Sequence, residues 1–164
     1  MPLRHQRNRK KTVQEAITNI TTTPEIEEPE ETAKSEETPE IELPHVKLAL
    51  RDSPAIITKT TIDKLFTISH RGGEQLPADS LRIEVYDRDY EIIDSLKFKS
   101  SSKRFEGKYL RSTAFFDERL DPRDTIAILE TLDFFNLPSH SILNVKIIDI
   151  PSNQILLEEQ VELI

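Results

Sequence analysis

Short runs of alternating apolar and polar residues are the feature that most limits what this chain can fold into. Leu81, Ile83 and Val85 alternate with polar residues, and Leu143, Val145 and Ile147 do the same. A period of two is typical of β-strands with one buried face, whereas amphipathic helices repeat every 3.6 residues. Further runs of this kind lie in 46–50, 62–68, 96–99, 126–128 and 155–163.

Turn-forming residues separate these runs, as expected for a chain of antiparallel strands. They occur at 52–54, 72–73, 87–89, 121–124 and 151–153, and they are rich in Asp, Gly, Pro, Ser and Asn. Seven or eight short strands over about 120 residues favour an all-β, immunoglobulin-like antiparallel β-sandwich. Residues 125–136 could also form a helix capped by Asp124, but the spacing of the apolar residues favours a strand from Thr125 to about Thr131 followed by a loop.

Residues 1–44 have a different composition from the rest of the chain. Five cationic side chains lie in the first eleven positions, and the stretch 24–44 contains nine Glu, four Pro and one Lys, a sum of −8. Low hydrophobicity with dense like charge predicts a disordered basic-then-acidic tail, followed by a β-sandwich domain at 45–164. No run of about 18 apolar residues exists, so we expect no membrane segment in the chain as written, which favours a cytoplasmic location.

No pattern typical of catalysis or cofactor binding is present in the sequence. It has no Cys, no glycine-rich phosphate loop, no histidine pair at metal-ligand spacing and no G-x-S-x-G element. The carboxylates at 117, 118, 121 and 124 lack the glycine and the spacing of a calcium loop, so a solvated turn is favoured. We therefore expect no catalytic residue, no cofactor and no metal.

A local basic patch makes nucleic acid a possible partner. It consists of Lys97, Lys99, Lys103, Arg104 and Lys108, with Phe98 and Phe105 interleaved. The chain as a whole is acidic, with a net charge of −8, and alternating Lys on a strand is typical of a solvent face or a protected edge. The patch is therefore better explained as surface charge.

Two stretches together are similar to a known family. The first, 70–83, reads HRGGEQLPADSLRI and includes His70, Gly72, Gly73, Pro77 and Asp79. The second, 144–155, reads NVKIIDIPSNQI and includes the remaining C-terminal motif residues, Asp149, Pro151, Ser152 and Gln154. In order and spacing they resemble the soluble β-sandwich domain of archaeal type IV pilins and archaellin-like proteins. Asp124-Thr125 matches that family's Gly-Asp-Thr segment, with Arg123 in place of the glycine.

The resemblance implies a non-enzymatic structural or interaction protein related to archaeal surface filaments or their accessory proteins. It implies protein partners among filament or cell-surface components, and a location at the cell surface. The family's hydrophobic N-terminal helix has no counterpart here, so we expect a monomer or weak dimer in isolation. The alternative is a soluble adaptor whose basic head docks on an acidic nucleic acid, membrane surface or protein.

Overall fold

The computed structural model describes residues 42–54, 62–115, 117–131 and 137–164. The predicted tail lies outside these residues up to position 41, and so do positions 132–136 of the loop predicted after Thr131, which was expected to run through Phe134, Phe135 and Pro138. The described part is all-β, as predicted, and contains no α-helix; its helical turn is a 3-10 turn at Ala78–Ser80. No helix in these ranges is long and apolar enough to span a membrane.

Eleven strands form the described part of the chain. They are β1 Val46–Asp52, β2 Lys64–Gly73, β3 Leu76–Pro77, β4 Leu81–Tyr86, β5 Ile92–Lys99, β6 Arg104–Glu106, β7 Leu110–Ser112, β8 Arg119–Leu120, β9 Thr125–Glu130, β10 Ile142–Asp149 and β11 Gln154–Glu162. The seven strands of six or more residues are β1, β2, β4, β5, β9, β10 and β11, and they correspond to the alternating runs in the sequence. The short strands β3, β6, β7 and β8 were not predicted, because two or three residues carry no periodic pattern.

Nine strands pair into one antiparallel sheet in the order β1-β2-β9-β7-β6-β5-β4-β10-β11, while β3 pairs with β8 alone. The two edge strands, β1 and β11, approach each other, so that the sheet is nearly closed into a barrel. The predicted strand over 125–131 is confirmed as β9, which pairs with β2 on one side and β7 on the other.

The buried face of each long strand follows the predicted alternation. Leu81, Ile83 and Val85 of β4 are at most 1% exposed, and their neighbours in sequence are half-buried. Phe66, Ile68, Leu96, Phe105, Ile128, Leu143 and Val145 join them in a single apolar cluster. Burial of this apolar surface supplies the main stabilisation of the sheet.

The structure corrects two details of the strand pattern. The glycines at 72 and 73 were expected to form the turn, but β2 runs through both and the chain turns after them. Ile155 was expected to share a buried face with Leu157 and Val161, yet it is 47% exposed. The pairing of β10 with β11 shifts register between Ile147 and Ile148, and this irregularity places Ile155 outside the core.

Candidate functional site

His70 lies inside the domain near the end of β2, where its side chain ties the next turn together. The residue is 1% exposed. Its Nε2 lies 2.7 Å from the carbonyl oxygen of Glu74, and its Nδ1 accepts a hydrogen bond from the Gly72 amide at 3.2 Å. These two contacts assign one tautomer, with the proton on Nε2. The imidazole therefore acts as a bridge across the turn that follows β2.

The two glycines next to His70 adopt backbone conformations that suit glycine. Gly72 has φ +151° and Gly73 has φ +101°. A Cβ atom on Gly73 would lie 2.0 Å from the carbonyl oxygen of His45, whereas a Cβ on Gly72 would meet nothing within 4 Å. The Glu74 amide donates to that same His45 oxygen at 3.0 Å. Gly73 thus permits the close approach of the chain that enters β1.

Asp124 and Arg123 lie beside His70 through backbone hydrogen bonds. The His70 amide donates to the Asp124 carbonyl at 2.9 Å, and the Arg123 amide donates to the His70 carbonyl at 2.8 Å. The Asp124 carboxylate accepts the amide of Asp121 at 2.8 Å and so organises the turn before β9. Arg123 has φ +89°, a left-handed conformation in which an L side chain is strained.

The C-terminal motif forms the turn between β10 and β11. The Asp149 carboxylate accepts hydrogen bonds from the amide and the hydroxyl of Ser152, at 3.1 and 2.6 Å. The Ser152 hydroxyl in turn accepts the amide of Gln154 at 3.3 Å. Pro151 and Gln154 are exposed, whereas Asp149 is buried. Local side-chain bonds of this type are what favours Asp and Ser in turns.

The structure brings the two motif stretches to the same end of the sheet. The amide of Ile150 donates to the carbonyl of Ser80 at 2.8 Å, joining the β10–β11 turn to the 3-10 turn. A cleft of about 290 Å³ lies between the turns and is lined in part by Glu74, Pro77, Asp149 and Pro151.

A second cleft of about 420 Å³ adjoins the first and shares Gln75 and Pro77 with it. Its other lining residues are Asp79, Asp117, Glu118 and Arg119. We call this end of the domain the motif end. It presents an acidic surface around ordered backbone turns.

The basic patch singled out in the sequence lies on β5, β6 and their connections. Lys99 forms an ion pair with Glu106 at 2.9 Å, and Arg104 approaches the same carboxylate at 3.8 Å. Hydrogen bonds from Ser102 and Lys99 lower the pKa of Glu106. Phe105 is fully buried, and the half-buried Phe98 packs against it with ring centres 5.7 Å apart, so both rings belong to the edge of the apolar core.

Sequence reasoning missed three buried carboxylates among the described residues, Asp63, Asp94 and Glu130. The Asp94 carboxylate accepts the amides of Lys108, Tyr109 and Leu110 at 2.7–2.9 Å, and it closes the turn between β6 and β7. Glu130 is 2% exposed at the end of β9. The alternating pattern could have revealed Asp94 and Glu130. Asp94 lies two residues from Leu96, and Glu130 lies two and four residues from Ile128 and Ile126, so each carboxylate is on the strand face that carries the buried apolar residues.

An outer face of the sheet also carries an ordered polar network that the sequence did not reveal. The Tyr86 hydroxyl donates to Glu84, which also pairs with Arg82 at 2.9 Å. This hydrogen bond, together with burial, raises the pKa of Tyr86 to about 12. The Lys146 ammonium lies 5.3 Å from the Tyr86 ring centre and 3.3 Å from the Glu158 carboxylate.

The described ranges contain no group of three or more side chains placed to hold a metal ion. Comparisons with protein-family models, curated proteins and solved structures gave no significant match.

Proposed function

We propose that this chain is a non-enzymatic structural or interaction protein. In this proposal its β-domain is an immunoglobulin-like sandwich of the archaeal pilin-like type, and it contacts filament or cell-surface components. The observation that carries the proposal is the meeting of the two motif stretches at the motif end. Because their side chains organise backbone turns, the resemblance has a physical basis there.

The strand order supports the immunoglobulin-like part of the proposal. The run β1-β2-β9-β7 corresponds to strands A, B, E and D of that fold, and the run β11-β10-β4-β5-β6 corresponds to G, F, C, C′ and C″. The two runs are joined through the pairing of β6 with β7 at Glu106 and Arg111. Backbone contacts measured by solution NMR test this assignment: a sandwich has two faces packed about 10 Å apart with β1 and β11 unpaired, whereas a closed barrel has backbone hydrogen bonds between β1 and β11.

Localisation in the native organism tests the functional part. We expect an antibody against the chain to label intact cells, and to decorate surface filaments or their bases in electron micrographs. A cytoplasmic protein probed in parallel controls for lysis. Labelling only after lysis would overturn the surface assignment and favour the alternative role as a soluble adaptor.

Charge reversal at the motif end tests whether this end makes the contact. The double variant Asp79→Lys, Glu118→Lys alters exposed carboxylates that line the 420 Å³ cleft. We expect it to lose surface association while keeping the wild-type melting temperature. The double variant Asp89→Lys, Glu91→Lys is the matched control, because it changes the charge by the same amount and both residues are exposed in the β4–β5 turn at the opposite end of β4. Equal behaviour of the two variants would exclude the motif end as the contact.

A further inference from the structure

Glu130 ends β9 with its side chain on the buried face of the sheet. It is 2% exposed, and its Oε1 atom has no hydrogen-bond partner among the described residues. Its backbone is well held, since its amide donates to the carbonyl of Asp63 at 3.0 Å. The next amide, that of Thr131, donates to the carbonyl of Tyr109 at 2.8 Å. Ionisation of a carboxyl group in such a position costs free energy, because burial removes the hydration of the charged form.

The cations on the two strands paired with β9 at this end lie on the other face of the sheet. Lys64 of β2 and Arg111 of β7 are both directly opposite Leu129 in the pairing register. Directly opposite residues share a face, and successive residues alternate, so these two cations lie on the face away from Glu130.

The neighbouring carboxylates offer no compensation either. Asp63 is 7% exposed and adds a second negative charge near Glu130. Asp94 is directed at the amides of 108–110. The titratable and charged groups at this end of the described strands are Asp63, Lys64, Asp94, Lys108, Tyr109 and Arg111, of which Lys108 is exposed with its ammonium 4.7 Å from the Tyr109 ring centre.

We propose that Glu130 and Asp63 form a proton-operated latch between the end of β9 and the start of β2. When Glu130 is neutral, its side chain stays inside and this end of the sheet is closed. When Glu130 ionises, hydration lowers the free energy of the carboxylate if its side chain reaches water. The backbone hydrogen bonds to the carbonyls of Asp63 and Tyr109 then open more often. The latch acts locally, through the hydrogen bonds of the Glu130 and Thr131 amides at the end of β9, and leaves the motif end unaffected.

The direction of the pH response follows from linkage. Burial first, and the negative charge of Asp63 second, raise the pKa of Glu130 to about 7. A carboxyl with a raised pKa in the folded state stabilises that state fully at low pH, and its contribution is lost as the pH rises toward the folded-state pKa. The latch is therefore tightest below about pH 4.5, the ordinary pKa of a Glu side chain, and loosens as the pH rises to about 7.

Amide hydrogen exchange in the full chain tests the latch. After correction for the intrinsic exchange rate, we expect the opening equilibrium at the Glu130 and Thr131 amides to increase about tenfold between about pH 6 and pH 8. In Glu130→Gln, which keeps the shape without the charge, this increase should disappear. Glu91→Gln removes an exposed carboxyl and should retain it. Asp63→Asn should reduce it.

The other outcomes each contradict the proposal. An equal increase in Glu130→Gln, or none in the wild type, would mean that Glu130 does not operate the latch. An equal increase at the amide of Val145 in β10 would mean that the whole domain responds, not one end. Restoration of protection at about pH 8 by millimolar calcium, lost in Glu130→Gln, would make the pair a cation site instead.

Discussion

The carboxylate of Glu159 in β11 accepts a hydrogen bond from the backbone amide of Leu50 in β1, at 3.1 Å. These strands are the two edges of the nine-stranded sheet. An edge amide without a partner is a template for pairing with another chain, and a charged side chain that covers it blocks such pairing. Glu159 therefore covers part of the edge where the sheet comes close to closing on itself.

Glu159→Ala should expose the Leu50 amide and weaken the contact between the edges. We expect a loss of about 1 kcal/mol in unfolding free energy, because the bond is charge-assisted but exposed. Urea denaturation measures the loss, and exchange of the Leu50 amide should become faster. Glu158→Ala is the control, since Glu158 pairs with Lys146 on the exposed surface and should cost less than about 0.5 kcal/mol. Equal losses would show that the Leu50 bond contributes nothing specific.

The two adjacent glycines of β2 should respond differently to substitution. Gly73→Ala places a Cβ against the His45 carbonyl and strains a positive φ, so we expect a loss of about 2–4 kcal/mol. Gly72→Ala meets no atom within 4 Å and carries only the conformational cost, about 1 kcal/mol. Thermal melting of both variants under the same conditions measures the difference. Gly73→Ala as mild as Gly72→Ala would contradict the close approach at His45.

Asp94 should contribute more to stability than any exposed aspartate of the chain. Asp94→Ala leaves the amides of Lys108, Tyr109 and Leu110 without their acceptor, and we expect a loss of about 3 kcal/mol. Asp94→Asn keeps one acceptor oxygen and should lose about half as much. Urea denaturation compares both with Asp89→Ala, an exposed control in the β4–β5 turn. A loss in Asp94→Ala no larger than the control would contradict this role.

The alternation of apolar and polar residues was sufficient to predict the all-β class and the long strands, because a strand with one buried face requires an apolar residue at every second position. Leu81, Ile83 and Val85 illustrate this, since all three are buried. Parity was not sufficient where pairing is irregular: Ile155 became exposed through the register shift in β10 and β11. Local turn chemistry could also be predicted, and Asp87 accepts the amides of Asp89 and Glu91 at 2.9 Å.

Long-range relationships at the motif end could not be predicted from the sequence alone. The bond between Ile150 and Ser80 joins residues far apart in the chain, and only the sheet order brings them together. The same holds for Asp94, whose partners at 108–110 depend on how β5, β6 and β7 pair. The sequence does show that Asp94 and Glu130 occupy positions where the alternating pattern places buried apolar residues. It does not show which groups surround them in the folded chain.

Arg123→Gly should make the protein more stable, which is unusual for a single substitution. Arg123 has φ +89°, where an L side chain costs of order 1–3 kcal/mol, while glycine adopts this conformation without strain. The hydrogen bond that the amide of residue 123 donates to the His70 carbonyl involves only backbone atoms, so the variant keeps it. After the extra flexibility of glycine in the unfolded chain is subtracted, we expect a net gain of about 1 kcal/mol, read from urea denaturation.

The control for this gain is Asn153→Gly in the β10–β11 turn. Asn153 has φ +54°, and asparagine tolerates that left-handed region better than arginine tolerates φ +89°. Its replacement should therefore change the unfolding free energy by less than about 0.5 kcal/mol. The proposed archaeal pilin-like relationship also expects a glycine at this position, so a stabilised Arg123→Gly variant would be consistent with that proposal. A destabilised variant would mean that the Arg123 side chain makes a contact that outweighs its strain, and the link to the family's Gly-Asp-Thr segment would lose its physical basis.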